Sequence, residues 1–250
     1  MHLRLETAGA VATLTIDRPA KRNAMSFDMW SAIPGLLAAV PDTARVLLIQ
    51  GGDHFSAGAD ISEFETLRSG ADGAARYSDA VHAAERAIAM FDRPTIAVIN
   101  GVCVGGGCEI ALACDLRIAA DTARFGITPA KLGIVYHFTS TKKLVDAVGP
   151  AWARQILFTA EIVDAATALR IGLVNELHPA PALQDRAKEL AETIASRSQV
   201  SLRGAKTIIQ MITENQPEDA DVHALYDNAV HSADYAEGVR AFLEKRSPRF

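Results

Sequence analysis

The first half of the chain alternates between short apolar runs of strand type and longer segments with helical spacing. Residues 10–16 alternate apolar and polar positions and are rich in β-branched residues, which predicts a strand paired as a hairpin with residues 2–6. Continuous apolar runs at 45–50 and 95–99 are typical of strands covered on both faces. Apolar side chains recur at helical spacing over 77–91, which predicts an amphipathic helix.

The second half has a different pattern. From about residue 138 onward the spacing is helical, with one short strand predicted at 172–177. Strands crossed over by helices early in the chain, and helices alone later, predict an α/β fold with a helical C-terminal region. We expect a core at 1–190 and a helical region at 191–250.

Two local signals in the first half concern a helix start and a loop. Ser26 is predicted to be the N-cap of a helix that runs to about residue 40, and Pro34 should bend or split that helix. Residues 65–79 are polar and contain glycine, which predicts a mobile flap over a binding site.

Composition and charge exclude several classes of protein. The chain has 250 residues, of which 49% are apolar, and its 30 acidic and 25 basic residues give a net charge of −5. The excess of basic residues expected of a nucleic-acid-binding protein is absent, and no apolar run approaches the roughly 20 residues that span a bilayer. The first residues resemble neither a signal peptide nor a transit peptide, so we expect a cytoplasmic protein with no nucleic-acid or membrane partner.

The three cysteines lie close together in the sequence. Cys103, Cys108 and Cys114 are odd in number and lack the spacing of metal ligands. We therefore predict reduced, buried thiols and no metal site, and keep a catalytic thiol as the alternative.

Consecutive glycines before a predicted helix are the first candidate for chemistry. The stretch 99–110 leads from a strand through Gly105, Gly106 and Gly107 into a helix that carries Glu109. Helix N-termini present unpaired N–H groups with partial positive charge, which can stabilise a developing oxyanion. Tight packing between strand and helix is the structural alternative, with Glu109 solvated.

Four motifs in order along the chain resemble those of one known superfamily. They are IDRPAKRNAM (16–25), FSAGADI (55–61), INGVCVGGGCE (99–109) and YAEGVRAFLEKRSPRF (235–250). Together they resemble the crotonase, or enoyl-CoA hydratase/isomerase, superfamily. The resemblance implies a core of repeated ββα turns with a C-terminal helical trimerisation region, assembled as a homotrimer or a dimer of trimers.

The resemblance also implies a ligand and its site. The substrate would be an acyl-CoA thioester whose carbonyl oxygen accepts hydrogen bonds from the N–H groups of Ala59 and Gly106, with no metal or redox cofactor. Further residues implied in binding the substrate and its CoA portion are Ala57, Asp60, Ile61, Ser62, Arg22 and Lys245.

Departures from the motif bear on the reaction. Enoyl-CoA hydratases pair two glutamates; the first corresponds to Glu109, whereas Pro129 stands at the position of the second. Tyr136 lies at the spacing from Glu109 that resembles methylmalonyl-CoA decarboxylase, but Ala59 replaces the histidine of that family's loop. Tyr136 would orient a carboxylate or protonate the enolate, or else pack beneath the pocket.

The leading hypothesis is a lyase that acts on a short acyl-CoA thioester through a stabilised enolate. Hydration by Glu109 alone and malonyl-type decarboxylation are both open, and His137 is the alternative acid or base. An isomerase ranks third because its usual glutamate also belongs at position 129. The rival from another class is a non-catalytic CoA-binding homologue.

Overall fold

A six-stranded sheet forms the centre of the protein, whose computed structural model describes residues 2–250. The strands are β1 (Leu3–Ala8), β2 (Val11–Ile16), β3 (Val46–Gly51), β4 (Thr95–Ile99), β5 (Val102–Val104), β6 (Leu116–Ala120), β7 (Arg124–Gly126), β8 (Val163–Asp164) and β9 (Glu176–His178). The central sheet has the order β1-β2-β3-β4-β6-β9 and is parallel except for the β1–β2 hairpin. A second sheet has the order β5-β7-β8.

Helices cover the sheet and form most of the second half. They are α1 (Phe27–Ala38), α2 (Phe64–Leu67), α3 (Gly70–Ala89), α4 (Gly106–Ala113), α5 (Phe138–Thr159), α6 (Ala165–Arg170), α7 (Leu183–Ala195), α8 (Gln199–Thr213), α9 (Ala220–Val230) and α10 (Ala233–Leu243). Single 3₁₀ turns lie at Pro19–Lys21, Ile61–Glu63, Pro129–Lys131 and Ala180–Ala182. The predicted α/β core followed by helices is confirmed.

Burial on both faces explains the continuous apolar strands. Helix α7 packs across β3, β4 and β6, while α1 packs against α3. All five residues of β4 are buried, as the uninterrupted apolar run over 95–99 predicts. The predicted hairpin of the first two strands is confirmed as well.

The first helix begins as predicted but is not split. Ser26 Oγ accepts a hydrogen bond from the Met29 N–H at 3.3 Å, which confirms the N-cap. Pro34 lies inside the helix, which continues to Ala38. Proline removes one backbone hydrogen bond here, and the buried face of α1 stabilises the helix despite that loss.

Two predicted segments differ in detail from the structure. Most of the segment 65–79 is helical, because α3 begins at Gly70 and its buried face keeps the helix in place, and its motion as a flap stays a prediction. The strand predicted at 172–177 overlaps β9 only at residues 176 and 177. The Leu173 N–H donates to the Ala168 carbonyl, which keeps Leu173 at the end of α6 and out of the strand.

The C-terminal helices leave a large apolar surface uncovered in the single chain. The exposed apolar side chains of α8, α9 and α10 include Ile209, Ile212, Val230, Val239, Phe242 and Leu243. The predicted boundary at residue 190 falls within α7. None of the helices within residues 2–250 combines the length and the apolar character that a membrane span requires.

Candidate functional site

A cavity of about 130 Å³ lies where the loop after β3 meets the start of α4. Its lining comprises Trp30, Ala57, Gly58, Ala59, Ile61, Phe64, Arg68, Tyr77, Val81, Val104, Gly105, Gly106, Glu109, Thr128, Pro129, Leu132, Ile134, Val135, Tyr136 and His137. These residues come from five separate segments, so the cavity exists only in the folded chain.

Two loops that are distant in sequence touch at this cavity. The Ser56 N–H donates to the Val102 carbonyl at 3.0 Å, and the Val104 N–H donates to the Ser56 carbonyl at 2.9 Å. A Cβ built on Gly58, which has a φ of +92°, would lie 2.7 Å from the Val104 oxygen and 3.2 Å from the Gly106 nitrogen. Only glycine allows this close approach.

The same contact leaves two backbone N–H groups free at the cavity wall. A parallel β-bridge joins Met25 and Ala59. In it the Met25 N–H donates to the Gly58 carbonyl and the Asp60 N–H donates to the Met25 carbonyl, so the Ala59 N–H is not used. Gly106 is the first residue of α4, so its N–H has no acceptor within the helix. Among residues 2–250, neither N–H has a hydrogen-bond acceptor, and both residues line the cavity.

Glu109 is the carboxyl group of the cavity. It lies in the first turn of α4 and is buried, and a Cβ built on Gly106 would come 3.4 Å from its Oε2. Burial and the nearby charge of Glu85 raise the pKa of Glu109 to about 8, against the smaller lowering effects of Tyr136 and Arg68. Glu109 is therefore mainly protonated at neutral pH.

Position 136 adds a second polar group beside Glu109. The Tyr136 hydroxyl is buried and has no hydrogen-bond partner among the described residues. Burial and the Glu109 charge raise the pKa of Tyr136 well above its ordinary value. Pro129, which stands where a second glutamate was considered, lines the same cavity and offers no proton.

The neighbouring His137 faces the cavity from the start of α5. Its Nε2 lies 3.3 Å from Ser78 Oγ, and its ring centroid lies 4.2 Å from that of His82. Burial and the charge of His82 lower the pKa of His137. Because its ring is in contact with Ser78 and His82, His137 is held at the wall of the cavity.

A second buried carboxyl, Glu85, lies on α3 and escaped the sequence prediction. It is 2% exposed, and its Oε1 accepts a hydrogen bond from Ser140 Oγ at 2.7 Å. Burial raises its pKa. A glutamate on the apolar face of a helix, between Val81 and Ile88, was the available signal.

The predicted loop residues separate into two groups. Ala57, Ala59 and Ile61 line the cavity, whereas the Asp60 side chain is buried against Arg18, with 2.7 Å between Oδ2 and the guanidinium. Hydrogen bonds from Ser62 and the Arg18 pair lower the pKa of Asp60.

The Asp60 and Ser62 side chains hold the loop together rather than line the cavity. Asp60 Oδ1 accepts hydrogen bonds from both the backbone and the hydroxyl of Ser62. Ser62 itself is exposed.

The two basic residues considered for CoA binding do not line the cavity of the single chain. Arg22 is exposed, although its carbonyl accepts a hydrogen bond from Ala57 N–H at 2.9 Å and so helps to position the loop. Lys245 is exposed just beyond α10. Their contact with a ligand stays a prediction.

Three further cavity residues were missed: Arg68, Tyr77 and Trp30. The Arg68 guanidinium stacks on the ring of Phe64 at 4.4 Å and on that of Tyr77 at 4.9 Å. Arg68 and Tyr77 lie in the segment 65–79 that was predicted to cover a binding site, but no local signal marks these two side chains or Trp30 individually.

The cysteines are free and buried, as predicted. None of them lines the cavity. Within residues 2–250, no group of three or more His, Cys, Asp or Glu side chains is arranged to hold a metal ion.

Comparisons with known proteins agree with the motifs and the fold. The sequence profile described as enoyl-CoA hydratase/isomerase matches residues 6–250. The short-chain-enoyl-CoA hydratase of Clostridium acetobutylicum is 35% identical over 97% of this chain and 94% of its own length. The 2,3-dehydroadipyl-CoA hydratase of Escherichia coli is 34% identical over 96% of this chain and 94% of its own length. A solved structure from Hyphomonas neptunium, assigned to the enoyl-CoA hydratase/isomerase family, has a TM-score of 0.96 and 41% identity and covers 100% of this chain and 97% of that chain.

Proposed function

The chain belongs to the enoyl-CoA hydratase/isomerase family, and on that premise we propose that it is an acyl-CoA lyase that hydrates short enoyl-CoA thioesters. The observation that carries this proposal is the pair of free N–H groups of Ala59 and Gly106 beside the protonated carboxyl of Glu109. The full-length identity to curated hydratases supports it.

The two N–H groups would bind the thioester oxygen. When water adds to the β-carbon, the electron pair of the double bond moves towards that oxygen, which becomes an enolate. Fixed N–H donors in a site with little water stabilise such charge strongly, and one donor is worth about 2.7–4 kcal/mol in comparable enzymes. Gly58 and Gly105 matter because they bring the two donors to one wall.

Glu109 would serve as both acid and base. A protonated carboxyl has one oxygen that donates and one that accepts. As the C–O bond forms at the β-carbon, one carboxyl oxygen takes a proton from water while the other gives its proton to the α-carbon. The net result is water added across the double bond with Glu109 returned to its protonated state, so Pro129 in place of a second glutamate is tolerated.

The proposed reaction uses a carboxyl group, two backbone N–H groups and water. We therefore propose that it needs no metal or redox cofactor, with CoA entering as part of the substrate. We also propose a homotrimer or a dimer of trimers located in the cytoplasm. The exposed apolar side chains of α8 to α10, such as the 83% exposed Phe242, support assembly.

Decarboxylation of a malonyl-type CoA thioester is the second candidate. The buried, unpartnered hydroxyl of Tyr136 beside Glu109 favours it, because such a group can orient a leaving carboxylate or protonate the enolate carbon. Loss of CO₂ from the α-carbon would leave the same enolate on the same two N–H groups.

A direct assay distinguishes these functions. Purified protein is incubated with crotonyl-CoA and, separately, with methylmalonyl-CoA and ethylmalonyl-CoA. We expect hydration of crotonyl-CoA that is lowered by at least about 100-fold in Glu109→Gln. Release of CO₂ that depends on Tyr136, with no hydration, would establish the second candidate instead.

Two further measurements complete the test. Calorimetric titration with acetyl-CoA that shows binding, in a protein that turns over none of these thioesters, would indicate a non-catalytic homologue.

Light scattering of the wild type and of Phe242→Glu tests the assembly. We expect the wild type to be trimeric or hexameric and the variant to have a lower mass.

A further inference from the structure

Arg68 is a cation in the cavity wall without an anionic partner. Its guanidinium lies over the rings of Phe64 and Tyr77, and among residues 2–250 it makes no side-chain hydrogen bond or ion pair. Stacking on two aromatic rings fixes the plane of the guanidinium but satisfies none of its five N–H donors. The cavity therefore contains an oriented, unused fork of donors.

Two more donors of the same wall are also unused. Trp30 is fully buried and Tyr77 is 2% exposed, yet neither Trp30 Nε1 nor the Tyr77 hydroxyl has a hydrogen-bond partner within residues 2–250. Buried polar atoms are almost always paired in folded proteins. Burial raises the pKa of Tyr77 to about 12, so it remains a donor at all physiological pH values.

The carboxylates nearest to this wall are already engaged. Glu63 and Asp60 are near enough for their charges to raise the pKa of Tyr77. Glu63 Oε2 accepts a hydrogen bond from the Phe27 N–H at 2.8 Å, and Asp60 pairs with Arg18. Glu109, on which the charge of Arg68 also acts, is mainly protonated at neutral pH, so a ligand is the remaining source of a full negative charge for Arg68.

A chain of contacts connects this wall to the N–H donor of Gly106. A Cβ built on Gly106 would lie 2.7 Å from the Trp30 ring, so Trp30 packs directly beside the N–H donor. The Trp30 indole adjoins the Tyr77 hydroxyl, and Arg68 stacks on Tyr77. The Gly106 donor is thus connected to Arg68 through Trp30 and Tyr77, and the charge of Arg68 is near enough to lower the pKa of Glu109.

We propose that Arg68, with the Tyr77 hydroxyl and Trp30 Nε1, forms a subsite for a carboxylate at the far end of the acyl group. The preferred substrates are then enoyl-CoA thioesters of short dicarboxylic acids. This inference rests on the proposed function, because it assumes that the thioester oxygen lies at Ala59 and Gly106. The guanidinium fork matches the two oxygens of a carboxylate, and the aromatic walls fit the methylene chain between the two ends.

Binding of unreactive thioesters tests the subsite without requiring turnover. Dissociation constants are measured by calorimetry for glutaryl-CoA and adipyl-CoA, each against the neutral butyryl-CoA and hexanoyl-CoA, with methylmalonyl-CoA as a third arm. In the wild type we expect the dicarboxylic thioesters to bind roughly 10–100-fold more tightly than the neutral ones.

Arg68→Met should abolish that ratio, and Arg68→Lys should retain part of it. Arg76→Met is the matched control, since Arg76 lies over the Phe27 ring at 5.5 Å but does not line the cavity. It should leave the ratio unchanged. Circular dichroism of each variant establishes that it is folded.

Three results would overturn the subsite. These are equal affinity of the wild type for neutral and dicarboxylic thioesters, an equal loss of affinity for both classes in Arg68→Met, or a preference confined to methylmalonyl-CoA. The second would place Arg68 against the CoA portion, and the third would place the carboxylate on the α-carbon. Hydration of crotonyl-CoA and glutaconyl-CoA is followed in parallel, so a protein that binds dicarboxylic thioesters without hydrating either would contradict the proposed function alone.

Discussion

The carboxyl of Glu109 lies directly beside Gly106, so that a Cβ on Gly106 would come within 3.4 Å of Glu109 Oε2. Both residues belong to the first turn of α4. The helix start thus carries the oxyanion donor and the acid together. One rigid element fixes the distance between them, which is how a site holds the geometry that a transition state requires.

Replacing the acid should remove activity while leaving the fold intact. We expect Glu109→Gln to lower kcat for crotonyl-CoA by about 10²–10⁴-fold, since that is the usual contribution of general acid–base catalysis. Glutamine preserves the shape of the side chain, so acetyl-CoA affinity should change little. Glu65→Gln, at an exposed residue of α2, is the control and should match the wild type. Full activity in Glu109→Gln would exclude Glu109 as the acid.

The pH dependence follows from the raised pKa of Glu109. Because the protonated form is the active one, kcat/KM should fall as the pH rises through about 8. A pH–rate profile of the wild type measures this. A profile that instead rises through pH 8 would show that the carboxylate is the active form.

The free energy of unfolding should fall as the pH rises, because Glu109 loses its proton less readily in the folded chain than in the unfolded one. The pKa of Glu109 is about 8 in the folded chain and near 4.5 when unfolded, so the folded state binds more protons between these values and loses stability as the pH rises. Glu109→Gln lacks this penalty. We expect its free energy of unfolding at pH 9 to exceed that of the wild type by roughly 2–4 kcal/mol, with a much smaller difference at pH 4. Urea unfolding at the two pH values checks it.

A side chain at Gly106 should disrupt the site. A Cβ there would approach the Trp30 ring to 2.7 Å, so Gly106→Ala has to displace Trp30 or the helix start. We expect a destabilisation of about 1–3 kcal/mol and a loss of activity of at least tenfold. Gly35→Ala is the matched control, because a Cβ on Gly35 in α1 meets no atom within 4 Å and should stabilise the helix by about 0.5–1 kcal/mol. Thermal unfolding and crotonyl-CoA assays separate the two variants.

Tyr136→Phe distinguishes the two candidate reactions. It removes a buried hydroxyl that has no partner, so we expect unchanged or slightly higher stability. If Glu109 alone carries out hydration, kcat for crotonyl-CoA should change less than about fivefold. A loss of more than 100-fold, confined to CO₂ release from methylmalonyl-CoA, would assign Tyr136 to decarboxylation.

The sequence by itself determined the framework and the loops that carry backbone donors. The apolar runs fixed β3 and β4 because strands covered on both faces need them, and Ser26 fixed the start of α1 because its hydroxyl satisfies a free N–H. Gly105 and Gly106 were recognisable because only glycine allows the backbone conformation and the close packing found there.

Only the tertiary structure decided which side chains line the cavity or act on the pKa of its carboxyl group. Glu85, Tyr77 and Arg68 lie on or beside α3, where helical spacing predicts burial but not the neighbours on the other side. The packing of α3 against α1 and α4 brings Tyr77 to the cavity beside Trp30, and Glu85 close enough to raise the pKa of Glu109. Charge and desolvation depend on distances in space, which a one-dimensional pattern does not contain.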